Sequence, residues 1–246
     1  MLSKEEVEKF QNDGYLGPFT LMSPEAMTEC CERVDREVLS TKANFAASSG
    51  QSRHLDCPVV WELCSHPEIV ERMADIYGPN LILWRSNFFI KNPGDKEIPW
   101  HSDQNYWPLE PKLNISAWIA LEDSTIENSC VQVIPGSQKK SIPHIPADPD
   151  MAFDEMADPD FFDESKAVSL EMKAGQFIIF NEKTLHHSYA NTSDKRRLAL
   201  AVRVTVPFVK VNSDELFPEH VNIALKGDDY MGFNKFDTPL PYLKNS

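Results

Sequence analysis

Apolar residues recur at helical spacing through the first third of the chain and at strand spacing after it. Over residues 3–15, Val7 and Phe10 mark an apolar stripe, Ser3 and Glu6 have the separation of a capping box, and Asp13-Gly14 supplies a stop. Residues 24–40, PEAMTECCERVDREVLS, predict a second amphipathic helix opening on Pro24. Residues 65–77 predict a third, with Ser65 as cap, Pro67 in the first turn and Gly78-Pro79 as terminator. From residue 81 the texture changes. LILWRSNFFI (81–90), ISAWIAL (115–121), CVQVIPG (130–136), GQFIIF (175–180) and RLALAVRVTV (197–206) are short, β-branched or aromatic, and bounded by turns. Helices first and strands later predict a mainly β fold, an antiparallel sheet-on-sheet core with helices packed outside it. The helical part covers about 1–78 and the strand-rich core about 80–210; there is no internal repeat, and 246 residues suit one domain.

One excursion, about 143–166, breaks that rhythm. Between Ala147 and Ser165 stand eight acids and no base, interleaved with Met151, Phe153, Met156, Phe161 and Phe162. It reads either as a solvated loop or as a lid whose aromatics cover a pocket and whose acids favour a cationic substrate. The whole chain is acidic, with 24 basic and 38 acidic residues and a net charge of −14. That excludes the basic stripe of a nucleic-acid groove and disfavours docking on anionic membranes. No apolar run approaches the roughly 20 residues a membrane span needs. MLSKEEVEKF is charged and unlike a secretory leader, so a soluble, cytoplasmic protein is expected. Cys30, Cys31, Cys57, Cys64 and Cys130 form no C-x-x-C pair and predict free, mostly buried thiols.

Three histidines stand two residues before an acid: His54-Leu55-Asp56, His66-Pro67-Glu68 and His101-Ser102-Asp103. Glu68 follows Ser65 by three, so a capping box accounts for it, and His54 and Asp56 lie in a polar stretch without strand pattern. His101 and Asp103, within PWHSDQNYWP, enter the β-rich region, where a spacing of two puts imidazole and carboxylate on one face. A third metal ligand must come from His144, His186, His187 or His220. FNEKTLHHSYANTSDKRR lies between two predicted strands, so a histidine there can complete a triangle with His101 and Asp103. Two imidazoles and one carboxylate leave three positions open, as non-haem Fe(II) requires to bind a cosubstrate and O2 together. Zinc hydrolases share such ligands, so the metal stays open. Arg197 opens the last strand; its guanidinium either grips the far carboxylate of a dicarboxylic cosubstrate or caps a strand at the surface.

With these residues in place, the chain resembles the phytanoyl-CoA dioxygenase family of Fe(II)- and 2-oxoglutarate-dependent oxygenases, from FQNDGYL to about residue 210. WHSDQNYWPLEPKLNISAWIALEDSTIENSCVQVIPGSQK (100–139) is similar to the family's H-x-D-x-x-Y segment, Trp-bearing strand and V-I-P-G-S turn. HHSYANTSDKRR (186–197) is similar to its H-x-S-x-x-N-x-S-x-x-x-R. Ser188, Asn191 and Arg197 all count back to His186, so His187 stands where the family usually has glycine and reads as a neighbour of the ligands or a substrate-facing group. The resemblance implies a double-stranded β-helix, the jelly-roll or cupin-like core. It implies Fe(II) on His101, Asp103 and His186, with 2-oxoglutarate on the iron and its far carboxylate on Arg197, helped by Ser188. Trp118 then lines the cosubstrate pocket or belongs to the core. The implied reaction consumes O2, converts 2-oxoglutarate to succinate and CO2, and hydroxylates an unactivated C–H bond. Related halogenases have a small residue where Asp103 stands, so hydroxylation or a related oxidation is expected instead of halogenation.

Asn105, Tyr106, Trp107, Gln132, His187 and Arg203 are the candidate substrate contacts. Arg203 lies in an apolar strand and is expected to pair with a core acid, the alternative being an anionic substrate group. Lys91, in IKNPGD, is expected in a solvated loop. The acidic balance leans away from a CoA carrier and toward a small polar or cationic molecule, an amino acid derivative or natural-product intermediate. Two other readings use the same residues: a non-catalytic jelly roll with a ligand pocket, and a zinc-dependent hydrolase or isomerase. The first does not need an intact ligand set, and the second gives Arg197 and Ser188 no role.

Overall fold

A computed structural model describes residues 1–43, 45 and 50–243. The chain opens with α1 (Lys4–Asp13), β1 (Tyr15–Thr20), α2 (Pro24–Val34), α3 (Pro58–Cys64) and α4 (Pro67–Tyr77). Then come β2 (Leu81–Lys91), β3 (Ile98–His101), β4 (Leu109–Glu110), β5 (Ile115–Ala120) and β6 (Gln132–Val133). The remaining strands are β7 (His144–Pro146), β8 (Glu155–Ala157), β9 (Val168–Ser169), β10 (Gln176–Asn181), β11 (His186–Ser188), β12 (Arg197–Thr205), β13 (Lys210–Val211) and β14 (Ile223–Lys226).

The expected cap of α1 is present: Ser3 and Glu6 exchange hydrogen bonds, and Gly14 ends the helix at φ +82°. Its missing side chain also matters, since a Cβ there would sit 2.4 Å from Thr184 Oγ1. The second predicted helix divides into α2 and a wider π turn over Asp35–Leu39. The third begins two residues late. His66, and not Ser65, caps α4 by accepting from Glu68 N–H, while Ser65 Oγ donates back to the Trp61 carbonyl. Pro67 demands an extended residue before it, and His66 supplies that conformation. The helix α3 and strand β1 are additions to the predicted set.

Two antiparallel sheets face each other. The larger has the order β1-β10-β5-β12-β2-β14 and the smaller β3-β11-β6-β9. This is the mainly β, jelly-roll architecture expected of the strand-rich half. Alternation along β12 positions the site. Leu198, Leu200, Val202 and Val204 face the helical layer and join a core with Phe177, Ile179, Met27 and Met73. Ala199 and Ala201 face the smaller sheet and pack with Trp118, Ile178, Val131 and Val133. Arg197 and Arg203 share that inner face, and the two alanines between them leave space for a cavity.

Candidate metal centre and cosubstrate pocket

His101 ends β3 and His186 begins β11, and the two are direct partners across the strand pair. Asp103 is not on the strand. It opens a 3-10 turn, Asp103–Tyr106, after an extended Ser102 that keeps it on the same side as His101. Asp103 Oδ1 lies 3.8 Å from both His101 Nε2 and His186 Nε2, and the three ligand atoms fall within 4.8 Å of one another. Each imidazole is oriented from behind: His101 Nδ1 bonds the Pro99 carbonyl at 2.8 Å and His186 Nδ1 the Thr184 carbonyl at 3.0 Å. Those bonds put the proton on Nδ1 and leave the Nε2 lone pairs aimed at Asp103. Burial, then the neighbouring His186, hold His101 well below its ordinary pKa, in the neutral form a metal requires. Two imidazoles with one carboxylate fit a divalent cation of the Fe(II) type.

The two other motifs act as brackets. Ser137 of the V-I-P-G-S turn accepts from Leu185 N–H at 2.9 Å and donates to the Ile134 carbonyl, while Ile134 N–H bonds Leu185 O at 3.0 Å. The residue before His186 is thereby clamped. Asn191 donates to the carbonyls of Lys91 and Lys195 and accepts from Ser193, shaping the turn that delivers Arg197 opposite Lys91.

Arg197 is 2 % exposed. Its guanidinium lies 5.2 Å from the Trp118 ring and donates to the Ser129 carbonyl, and among the described residues no carboxylate is within 4 Å of it. Burial draws its pKa down to about 10. The alternative of a surface arginine is thus excluded; the surface role falls to Arg196, which pairs with Asp35 and Glu122. Lys91 departs from the expected solvated loop: β2 runs one residue further than its apolar pattern, and parity turns Lys91 inward. It is 3 % exposed and donates to Ser188 O, Ser188 Oγ and Tyr189 O at 3.1, 2.9 and 2.6 Å. Burial and the Arg197 charge lower its pKa to about 7.

One cavity of about 850 Å³ takes in His101, Asp103, His186, Ser188, Trp118 and Arg197. Its volume is that of a site for a small molecule. Arg203 also lines it, 3.7 Å from Asp103 Oδ2 and with its guanidinium 4.9 Å from the Trp107 ring. It pairs with an acid as expected, and that acid is a metal-ligand candidate. Tyr106 and Trp107 line the cavity, Tyr106 half-open to solvent with its hydroxyl donating to the Glu155 carbonyl at 3.4 Å. His187 borders it, but its ring is stacked on Trp100 and its Nε2 bonds Glu97 at 2.8 Å. Two candidates stand apart. Asn105 is exposed and outside the lining, and Gln132 turns the other way to donate to Ser169 Oγ at 2.8 Å.

The structure adds residues that sequence reasoning missed. Arg85, Asn87 and Phe89 alternate along the inner face of β2 and line the cavity. A charged residue inside LILWRSNFFI was the available signal, the same one that marked Arg203. The acidic excursion forms a β7–β8 ribbon whose tip brings Ala152, Phe153, Asp154 and Glu155 to the cavity, with the Phe153 ring 4.8 Å from His101. The rival metal candidates dissolve. Asp56 pairs with Arg53, and fully buried His54 bonds Ser86 while burial pushes its pKa down to about 3. All five cysteines are free, and burial raises the pKa of each.

Residues 10–199 match the family model described as phytanoyl-CoA dioxygenase (PhyH). The chain belongs to the phytanoyl-CoA dioxygenase family. A phytanoyl-CoA dioxygenase of Arabidopsis thaliana is 34% identical over 126 residues, covering 50% of this chain and 44% of that protein. The chain spans about half the length, or less, of the curated relatives it matches first. Among solved structures, CytC3 with Fe(II) and alpha-ketoglutarate superposes with TM-score 0.78 at 28% identity, over 98% of this chain and 95% of that one. The alpha-ketoglutarate-dependent carbocyclase SnoK from nogalamycin biosynthesis superposes with TM-score 0.67 at 25% identity, over 85% and 86%. Among the described residues, no helix is long and apolar enough to cross a membrane.

Proposed function

We propose that the protein is a non-haem Fe(II)- and 2-oxoglutarate-dependent dioxygenase that hydroxylates an unactivated C–H bond of a small molecule. One observation carries this reading: a His–Asp–His cluster and a buried guanidinium with no carboxylate partner among the described residues share a single cavity. A buried cation with no counter-ion is costly, and a dicarboxylate that reaches it removes the cost. A zinc hydrolase on the same three ligands would leave that cation without purpose.

His101, Asp103 and His186 are the residues that would hold the iron, and Arg197 and Ser188 those that would grip the far carboxylate of 2-oxoglutarate. Iron with 2-oxoglutarate supplies O2 activation coupled to decarboxylation, giving succinate and CO2. The protein's share is placement and exclusion of water. The Nδ1 bonds of His101 and His186 fix ring orientation, Trp118 flattens one wall against Arg197, and Phe153 and Tyr106 screen His101 at the mouth. Relatives acting in natural-product biosynthesis support a small-molecule substrate. The retained Asp103 supports oxygen insertion, since it occupies the position a halide would need.

The test is succinate formation from 2-oxoglutarate under Fe(II) and O2, first without added substrate and then across a metabolite panel. The expected result is slow uncoupled succinate release that a true substrate accelerates, and its loss in His101→Ala or His186→Ala. Succinate release that continues unchanged in both variants would overturn the reading.

A further inference from the structure

Four cations stand on the inner face of the larger sheet, in two cross-strand pairs. Arg197 is register partner of Lys91, and Arg203 of Arg85. The pairs are six residues apart on each strand, about 20 Å along the strand direction. In the first pair Arg197 would grip the cosubstrate, and Lys91 is spent on Ser188 and Tyr189. A five-carbon diacid seated on Arg197 is too short to reach Arg85 as well, at about 1.5 Å per bond.

The second pair is unbalanced. Like charges directly opposite each other across strands repel. Arg203 has relief, from Asp103 at 3.7 Å and from the rings of Trp107 and Phe89 at 4.9 and 5.7 Å. Arg85 has none of these. Its one hydrogen bond runs from Nε to Asn87 Oδ1 at 3.2 Å, and its terminal nitrogens have no partner among the described residues. No carboxylate there lies within 4 Å of it. The charges that act on it are Arg203, which opposes its own, and Asp103, which a metal would claim; burial and Arg203 together draw its pKa down to about 10. Asp154 and Glu155 of the β7–β8 ribbon line the same cavity, and neither forms an ion pair with Arg85 within 4 Å.

We propose that Arg85 is a specificity-determining residue whose guanidinium receives an oxyanionic group, carboxylate or phosphate, of the substrate. The inference rests on the dioxygenase reading for the word substrate and on the cavity alone for the anion. Arg85 stands opposite Arg203, which pairs with Asp103, and six residues along the strand from the Lys91–Arg197 pair, so it serves the second ligand and not the cosubstrate. Its planar fork presents two parallel N–H groups to an oxyanion, which Lys cannot copy. The reading reverses the cationic substrate expected from the acidic excursion: the acids border the mouth, while the wall beside the metal is basic.

The test is calorimetric titration of the full chain, with and without Fe(II) and 2-oxoglutarate and without O2. The probes are 4-phenylbutyrate, its amide, 4-phenylbutylamine and inorganic phosphate. Wild type is expected to bind the carboxylate well above the amide and amine, and Arg85→Gln to weaken it roughly 10- to 100-fold, with Arg85→Lys between them. Phosphate that competes with the carboxylate widens the oxyanion class, and phosphate that does not narrows it to carboxylates; both outcomes keep Arg85 as the receiver. Ligand-free Arg85→Gln is expected to melt higher than wild type, because a repulsion is removed. Equal carboxylate binding by wild type and Arg85→Gln, preference for the amine, or a lowered melting temperature would each overturn the proposal. 2-Oxoglutarate binding is titrated separately; its absence in wild type sinks the dioxygenase reading and leaves the Arg85 comparison standing on the metal-free protein.

Discussion

Arg196 and Arg197 leave the same turn and meet opposite surroundings, one in a solvent-facing network with Asp35 and Glu122, the other sealed against Trp118. Replacing Arg197 by Gln keeps a donor for the Ser129 carbonyl and removes the charge. We expect 2-oxoglutarate affinity to fall roughly 10- to 100-fold with the metal still bound, measured by titrating 2-oxoglutarate into the Fe(II) protein without O2. An unchanged affinity would place the cosubstrate elsewhere. The metal cluster and Arg197 were legible in the sequence because they sit in motifs with fixed spacing. Lys91 and Arg85 were not, because their roles depend on strand parity. Parity becomes readable only when the end of β2 is known, and IKNPGD disguises it as a loop. Gln132 erred the same way, facing Ser169 where a one-residue shift would have faced the cavity.

At the scale of elements, the β7–β8 ribbon is the part with the most to say about access. Its Phe153 meets both His101 and Tyr106, at 4.8 and 6.1 Å. Truncation by Phe153→Ala opens the mouth over one metal-ligand candidate without touching a ligand. We expect bound metal to be stripped by a chelator roughly tenfold faster, with the far-ultraviolet circular dichroism unchanged. Equal stripping rates would show that the ribbon is a bystander and not a lid. The sequence marked this excursion by composition, yet gave no hint of its pairing, since three-residue strands carry no readable alternation. The same limit hid β9 and β11 in the smaller sheet, while β6 falls inside the predicted strand 130–136. The long strands β2, β5, β10 and β12 were plain, because each carries enough β-branched and aromatic residues to outweigh any helical reading. The cap of α4 was misplaced by one residue because a histidine can cap as serine does, and Pro67 decided between them.

Across the whole molecule, stability should respond to pH through a group outside the chemistry. Glu182 follows β10, is 2 % exposed, and accepts from Asn114 N–H and Tyr77 O–H at 3.4 Å each. Burial raises its pKa from 4.5 to about 7. Between those values the folded chain holds a proton that the unfolded chain has released, so this group's contribution falls as pH rises through the window and stays lost above it. Lys91 works in the other direction. With its pKa lowered from 10.5 to about 7, the unfolded chain holds more protons above pH 7, and stability rises with pH from there. Glu182→Gln isolates the first effect. It should stabilise the metal-free protein by roughly 1–3 kcal/mol at pH 8 and by almost nothing below pH 4.5, read from denaturant melts at both pH values. A uniform gain at both would mean that the carboxyl titrates alike in the folded and unfolded chain.

The clasp between the amino-terminal segment and the loop before His186 carries a further consequence. Gly136 N–H bonds the Asp13 carbonyl, the Gln138 amide bonds the carbonyls of Gln11 and Asn12, and Thr184 and Asn181 both donate to Gly14 O. These partners lie 126 to 170 residues apart in the Gln138 and Thr184 contacts, yet the opening helix props the strand that presents the His186 imidazole. Trimming the first fourteen residues would therefore remove a buttress, and the loosened part would be a metal-ligand candidate.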